Sequence, residues 1–493
     1  MDDHTSSCED TGEDFTRMDR GDSSSAEFLL AQELNQLSVQ ERDLINDEIH
    51  GVRLSCPNET PELLQNSLAN LESELGTLPS TPTKSAYEES LKHPESYVHK
   101  DDFRLMFLRC EFFDAPKAAL RMIKYLDLVY YAFGSKALKR DICLADFDSK
   151  GKEFLREGYH QVLPGMDRTG RRVTGNFAFA FDPDQPVKNQ VKSAIYCMMR
   201  TGRGNINVQR MGIVGLYWAF GTGSFQDLKR RFWVHKRFVG AEPIRFCAIH
   251  FCLPESTDPI FSALRRTYLM SLAAKNRARL RIHSGSATEC LYTLQTFGIQ
   301  AIHMPINTTS GEIKTTNHHK WLRLQKIQED DKVFCGIECP EQADVLFGRG
   351  WPKMGHPGNA HFRNAIECRL DDYNAAHSKR EKTLISWSVV SELRDSGARF
   401  LKEDESGFWM EVSDEVARKK ISIGFRDIRK ARHKMVQSLL KNTNNKSVSL
   451  PGSKRKVPSE ECGGSSDEDS SKGFQFVDGG KRHRENSKCT CKS

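Results

Sequence analysis

Residues 245–254 read RFCAIHFCLP, an almost continuous apolar run of strand length. Such a run belongs to a strand buried on both faces, as in a parallel sheet covered by helices. Pro254 and the Ser-Thr-Asp cluster after it end the run. The next segment, 258–274, sets Ile260, Phe261, Leu264, Tyr268 and Leu272 on one stripe, with Ser262, Arg265 and Arg266 off it. That is the pattern of an amphipathic helix. RLRIH (279–283) then alternates basic and apolar residues before Ser284-Gly285. Strand, helix and strand within about 40 residues form a βαβ unit.

The same alternation extends outward from this unit. GNFAFAF (175–181) and GIVGLYWAFG (212–221) read as strands. Val187, Val191, Ala194, Ile195, Met198 and Met199 share one helical stripe between them. Residues 225–238 are a basic, aromatic helix candidate, 286–297 another helix, and AIHMPI (301–306) a last short strand. This order predicts an α/β fold with a mostly parallel sheet flanked by helices.

Composition narrows the setting. A chain of 493 residues suggests two or three domains, and a net charge of +6 is too small at this size to define a partner. The imbalance is local. Residues 1–30 hold nine acids against Arg17 and Arg20, while the last third is basic. The 14 cysteines lack the regular spacing of a disulfide scaffold, which predicts a reducing interior. No apolar core follows a basic start and no run reaches 18 apolar residues, so neither a signal peptide nor a membrane span is expected. The predicted location is cytoplasmic with transient membrane contact, or nuclear. No catalytic nucleophile–base pair stands out, so no enzyme is expected, and no cofactor beyond a bound lipid. Cys335 and Cys339 have a metal-compatible spacing, but without a second pair nearby no metal is expected.

Upstream, 1–25 is acidic and Ser-rich and reads as disordered. Residues 26–94 read as helical segments with a linker. Ser38 and Glu41 make a capping box, Gly51 is a helix stop, a second helix covers 62–75, and 78–82 is Pro/Thr/Ser-rich. Residues 100–134 read as a helical pair. Phe103, Met106, Phe107 and Cys110 form the first stripe, and Asp114 caps a second helix with Pro116 in its first turn.

The segment FLRC-EFFDAPKA (107–118) resembles the helical lead-in of CRAL-TRIO (Sec14-like) lipid-binding proteins. HQVLPGMDRTGRRV (160–173) is similar to that family's Asp-x-x-Gly-Arg-Pro-Val, with Arg172 in place of the Pro. The resemblance covers about residues 95–325, with 95–156 as lead-in and 157–325 as lipid domain. It implies an apolar pocket floored by the sheet, with the helix 258–274 as a gate over its mouth. It also implies that Ile260, Phe261, Leu264, Tyr268 and Leu272, with Met198 and Met199, serve gate or pocket. In phosphoinositide-binding members a Lys after the gate meets the headgroup phosphate. The matching position is Arg279, flanked by Arg277 and Arg281. The bland reading stays open at each place: core packing for the apolar stripes, a solvated edge for the arginines, a covering helix for KRRFWVHKRF (229–238).

After a polar connector at 326–342 comes a second region, 343–434. DVLFGRG (344–350), HPGN (356–359), FR (362–363) and ARKKISIGFR (417–426) resemble a domain of unknown function that recurs in diatom proteins, DUF6824. This resemblance carries no mechanism. The region reads as a short strand, a helix over 360–376 capped by Asn359, a helix over 384–395, a hairpin over 399–412 and a helix over 414–435. Gly348, Gly350, Gly355 and Gly358 do not make a Walker A loop, since no Gly-Lys-Ser/Thr follows. Residues 418–434 hold eight Lys/Arg and one acid, Asp427. Arg418, Lys419, Lys420, Arg426, Arg429 and Lys430 are therefore candidates for binding nucleic acid or an anionic surface. The tail 441–493 reads as disordered, with basic clusters SKRKVP (453–458) and KRHR (481–484) as nuclear import candidates.

The combined expectation is a lipid binder or carrier. It would hold a phosphoinositide, another phospholipid or a different hydrophobic ligand, and touch membranes peripherally. The rival expectations are a nuclear regulator whose C-terminal domain binds nucleic acid, and a scaffold whose pocket is filled.

Overall fold

The structure is a computed structural model, and it describes residues 24–52, 56–177, 186–220, 236–256, 259–272, 274–330, 334, 336–348 and 350–446. The chain divides into two compact units, 1–428 and 429–493. The first unit holds both sheets.

The main sheet has five strands in sequential order: β1 His160–Met166, β2 Arg172–Asn176, β3 Ile213–Trp218, β4 Phe246–Leu253 and β5 Leu280–Ser284. β1 and β2 are antiparallel, and β2 to β5 are parallel. All eight residues of β4 are buried, as the run 245–254 predicts. Parallel strands in sequential order step one way across the sheet. Right-handed crossovers therefore place their connecting helices on one face.

Helices preceding the sheet include α1 Ser24–Gln36, α2 Val39–His50, α3 Asp101–Cys110 and α4 Ala115–Phe133. Ser38 and Glu41 close the capping box of α2, and Gly51 ends it in the left-handed conformation at φ 70°. The Asp114 side chain accepts from the Lys117 N–H at 3.1 Å and caps α4. Next come α5 Val187–Gly202, α6 Pro259–Ser271, α7 Ala274–Arg277 and α8 Ala287–Thr296.

Two cores result. The larger joins α3, α4, α5 and α6 to the crossover face, through Ile249, Phe251 and Leu253 of β4. The smaller lies on the other face, where Cys247, Ala248 and Cys252 of β4 meet Ile49 of α2 and Cys290 and Leu294 of α8.

Four expectations change. Residues 301–306 are not a strand of the sheet. Ala301–His303 is a 3-10 turn, Pro305 has no N–H to donate, and Ile306 makes one bridge to Ile313. The connector, expected from 326, begins inside a helix, α9 Thr316–Asp330, which packs Trp321 and Leu324 inward. Asn359 is not a helix cap. Pro357 starts α10 Pro357–Cys368 three residues earlier than expected, with His356 as N-cap. The helix over 384–395 begins earlier too, as α11 Lys379–Asp395, because Ser378 and Glu381 form a capping box. Strand extension over 178–181, most of 225–238, and Cys335 lie outside the described residues.

The second sheet joins β6 Val345–Leu346, β7 Phe400–Glu403 and β8 Trp409–Glu411, with β6–β7 parallel and β7–β8 a hairpin turned at Gly407. Ala417, Ile421 and Phe425 of α12 Asp414–Lys446 close its core against α10 and α11. The molecule thus has an α/β architecture with a mixed main sheet flanked by helices, and a distinct C-terminal α+β region.

Candidate functional site

A cavity opens on the crossover face, between the sheet, α5 and the end of α6. Its volume is about 80 Å³, and it is partly open to solvent. Leu216 of β3 and Phe246 and Ile249 of β4 supply apolar floor. Ala194, Cys197 and Met198 of α5 form one wall, and Phe238 and Val239 another. Ser271 of α6, Leu272 and Asn276 of α7 close the rim. Polar groups are few: His160 and Gln161 of β1, Thr174 and Asn176 of β2, Tyr217 and Glu242. Asn176 Nδ2 lies 3.3 Å from His160 Nε2.

The electrostatics of this wall are nearly neutral. Among the described residues no Lys or Arg lines it. Glu242 is answered by Arg121, whose guanidinium lies 3.1 Å from its carboxylate. Burial pushes the Cys197 thiol up, so it stays protonated. Burial likewise raises the Tyr217 phenol to about 12. The Tyr217 and Tyr268 rings sit 4.6 Å apart.

The sequence candidates fall into three places. Met198 and Leu272 line the cavity. Met199, Leu264 and Tyr268 are buried in the large core beside it, with Ile260 and Phe261 packed on its edge. Core packing thus accounts for most of the α6 stripe, and the cavity opens at the C-terminal end of that helix.

The three arginines are held by the chain itself. Arg279 donates to Glu48 of α2 through Nε at 2.8 Å, and its second guanidinium nitrogen is 2.7 Å from the same oxygen. Glu48 is 2% exposed and also takes Arg245, whose guanidinium lies 4.7 Å over the Phe112 ring. Arg171 closes the group. It donates to the carbonyls of Glu48 and Ile49 at the end of α2 and pairs with Asp167. Cations at that end also complement the helix dipole. Arg277 pairs with Glu33 of α1 and donates to the Leu272 carbonyl at 3.1 Å. Arg281 donates to Asn46 of α2 at 3.3 Å, and burial lowers its pKa.

Beside this clamp lies a ring cluster. His250 Nδ1 and His283 Nε2 are 2.9 Å apart, Phe297 stands 4.5 Å from His250, and His50 of α2 stacks on Phe297 at 4.9 Å. Burial, with Arg281 adding, lowers His283 to about 4. Burial, then His283, Arg171, Arg281 and His50, holds His250 well below the ordinary imidazole range.

Sequence reasoning missed Glu48 and its pairing with Arg245 and Arg279. A signal was present, since Glu48 sits beside Ile45 and Ile49 on the apolar side of α2, a costly position for an unpaired carboxylate. Nothing in the sequence singled out His160, Asn176, Phe238 or Asn276, which meet only in three dimensions.

In the C-terminal region the glycine loop is tied from within. Asn359 Oδ1 accepts from the Leu346 N–H at 2.9 Å, and its Nδ2 donates to Leu346 and Lys353 carbonyls. Gly358 is required there, because a Cβ would stand 2.1 Å from the Asp344 carbonyl oxygen. Lys420 turns inward, 4.4 Å over Phe347 and 5.3 Å over Phe362, and donates to the Leu346 carbonyl at 3.3 Å. Burial lowers its pKa. Arg418 covers the Trp387 ring at 5.9 Å, while Lys419, Arg426, Arg429 and Lys430 are exposed. Cys339 is buried and donates its thiol to the Pro164 carbonyl at 3.2 Å. Among the described residues no group of three or more His, Cys, Asp or Glu converges as a metal site.

The family described as "Domain of unknown function (DUF6824)" matches residues 344–427, within the C-terminal region. No curated protein matches the chain. Among solved structures it is similar to one titled "Crystal structure of Sfh5". The identity is 11% and the TM-score 0.32, and the match covers 56% of this chain and 100% of that one.

Proposed function

We propose that the first unit binds a hydrophobic ligand in the cavity beneath the end of α6. The carrying observation is the cavity lining: Met198, Phe238, Phe246, Ile249 and Leu272 make an apolar wall, with a few neutral hydrogen-bonding groups near His160 and Asn176. A mostly apolar wall with sparse polar anchors is the usual make-up of small-ligand sites, and the cavity of about 80 Å³ must widen to take a ligand. The lead-in motif and the Asp167–Arg171 turn support the same reading through the CRAL-TRIO resemblance.

The mechanism is capture, with α6 as the moving part. Displacing α6 widens the rim at Ser271 and Leu272, an apolar body enters, and water leaves the wall. Each buried CH₂ contributes about 0.8 kcal/mol. A ligand with one neutral polar group suits the wall best. Headgroup contact by Arg277, Arg279 or Arg281 requires that Glu33, Asn46 and Glu48 let go. Phosphoinositide binding is therefore tied to release of α1 and α2.

A titration with nitrobenzoxadiazole-labelled cholesterol and phosphatidylcholine tests the reading. Saturable fluorescence enhancement is expected with the full chain. Met198→Trp, which puts a larger side chain into the wall, is expected to weaken it by about tenfold or more. Equal enhancement by wild type and M198W would place the probe elsewhere.

A further inference from the structure

We infer that the helical segment 429–446 is a docking surface for an anionic lipid bilayer. This does not rest on the cavity reading. The segment carries six Lys/Arg and no Asp or Glu. Its residues 429–437 are all exposed. Among the described residues no carboxylate pairs with Arg429, Lys430, Arg432 or Lys434. Six arginines of the first unit behave otherwise, since Arg109, Arg121, Arg171, Arg172, Arg245 and Arg279 each have an acidic partner.

Two faces follow from the helical period. Lys430, His433 and Lys434 share one side. Met435 and Val436 lie on the other, 65% and 54% exposed, and the sequence continues with Leu439 and Leu440 at the same spacing. Arg432 lies on that same side one turn before Met435 and Val436, and Arg429 lies at its edge one turn earlier. A helix with a basic face, exposed apolar residues beside it and no acids fits the headgroup–acyl boundary of an anionic bilayer. Eighteen residues give it about 27 Å of length to lie along the surface. A polyphosphate duplex would satisfy the charges and leave Met435 and Val436 unused, so a bilayer fits the whole surface better.

The test is sedimentation of the full chain with vesicles. Binding to phosphatidylserine-containing vesicles is expected to exceed binding to pure phosphatidylcholine by about tenfold or more, and to fall as salt rises from about 0.1 to 0.5 M. The exposed quadruple reversal R429E/K430E/R432E/K434E is expected to abolish that preference. M435S/V436S, which keeps every charge, is expected to weaken vesicle binding several-fold. M198W is expected to sediment like wild type, which separates this surface from the cavity. Equal binding to both vesicle types, or an unaffected quadruple variant, overturns the proposal. So does an unaffected M435S/V436S variant whose vesicle binding is displaced by duplex DNA, which would assign the surface to nucleic acid.

Discussion

Glu48 shows how much one residue can carry. Its carboxylate, 2% exposed, answers Arg245 and Arg279 together, while Arg171 holds the carbonyls just beyond it. Removing one partner of a buried ionic group costs about 3–5 kcal/mol, because the remaining charge has no solvent to turn to. Glu48→Gln is expected to lower unfolding stability in urea by about that amount. A loss under about 1 kcal/mol would mean that the arginines find other partners easily. Arg172 is a second case. It stands where the resembling motif has Pro, and it donates to the Leu163 carbonyl at 3.3 Å and pairs with Glu338. The departure from the motif thus serves to fasten the segment leading to the second sheet. Sequence alone marked the departure at Arg172 and could not supply its partner, which lies 166 residues away.

At the scale of elements, caps and stripes were legible because their physics is local. Ser38–Glu41, Asp114 and the buried β4 run were each readable from a few neighbouring residues. What was not legible depends on distant contacts: the α2 clamp, the cavity wall, and the turn that replaces a strand at 301–303. The ring cluster at the end of α2 yields an element-scale prediction. His283 is lowered to about 4 from an ordinary 6.5, and His250 and His50 are lowered as well. A depressed native pKa means that the unfolded chain binds more protons across that window. The contribution is fully present above pH 6.5 and lost as pH falls toward 4. The facing groups, Arg171, Arg281 and Arg168, are all cations, so protonation brings only repulsion. Thermal melts are expected to show wild type losing stability between pH 6.5 and 4, and His283→Phe losing less of it. Parallel pH curves would contradict this.

At the scale of the first unit, the two sheets are fastened together and not merely strung on a linker. Cys339 reaches Pro164, Gln342 Nε2 donates to the Arg168 carbonyl at 2.6 Å, and the Ile337 N–H donates to Trp409 at 2.8 Å. Arg323 donates to the Ser406 carbonyl and covers Phe408 at 4.9 Å. Arg172→Ala is expected to loosen this junction and speed limited proteolysis between 330 and 340, with the β4 core still protected. An unchanged cleavage rate would show that the remaining contacts suffice. The C-terminal region is therefore held to the β1–β2 turn by Gln342 and, through Glu338, by the side chain of Arg172.

The central claim is that the cavity under α6 holds a hydrophobic ligand. Native mass spectrometry of the full chain purified from eukaryotic cells, with solvent extraction of the same sample, tests it most directly. The account predicts one apolar molecule per chain in wild type and its loss in M198W. A chain that is empty as purified, and that takes up no lipid from mixed liposomes, would contradict it.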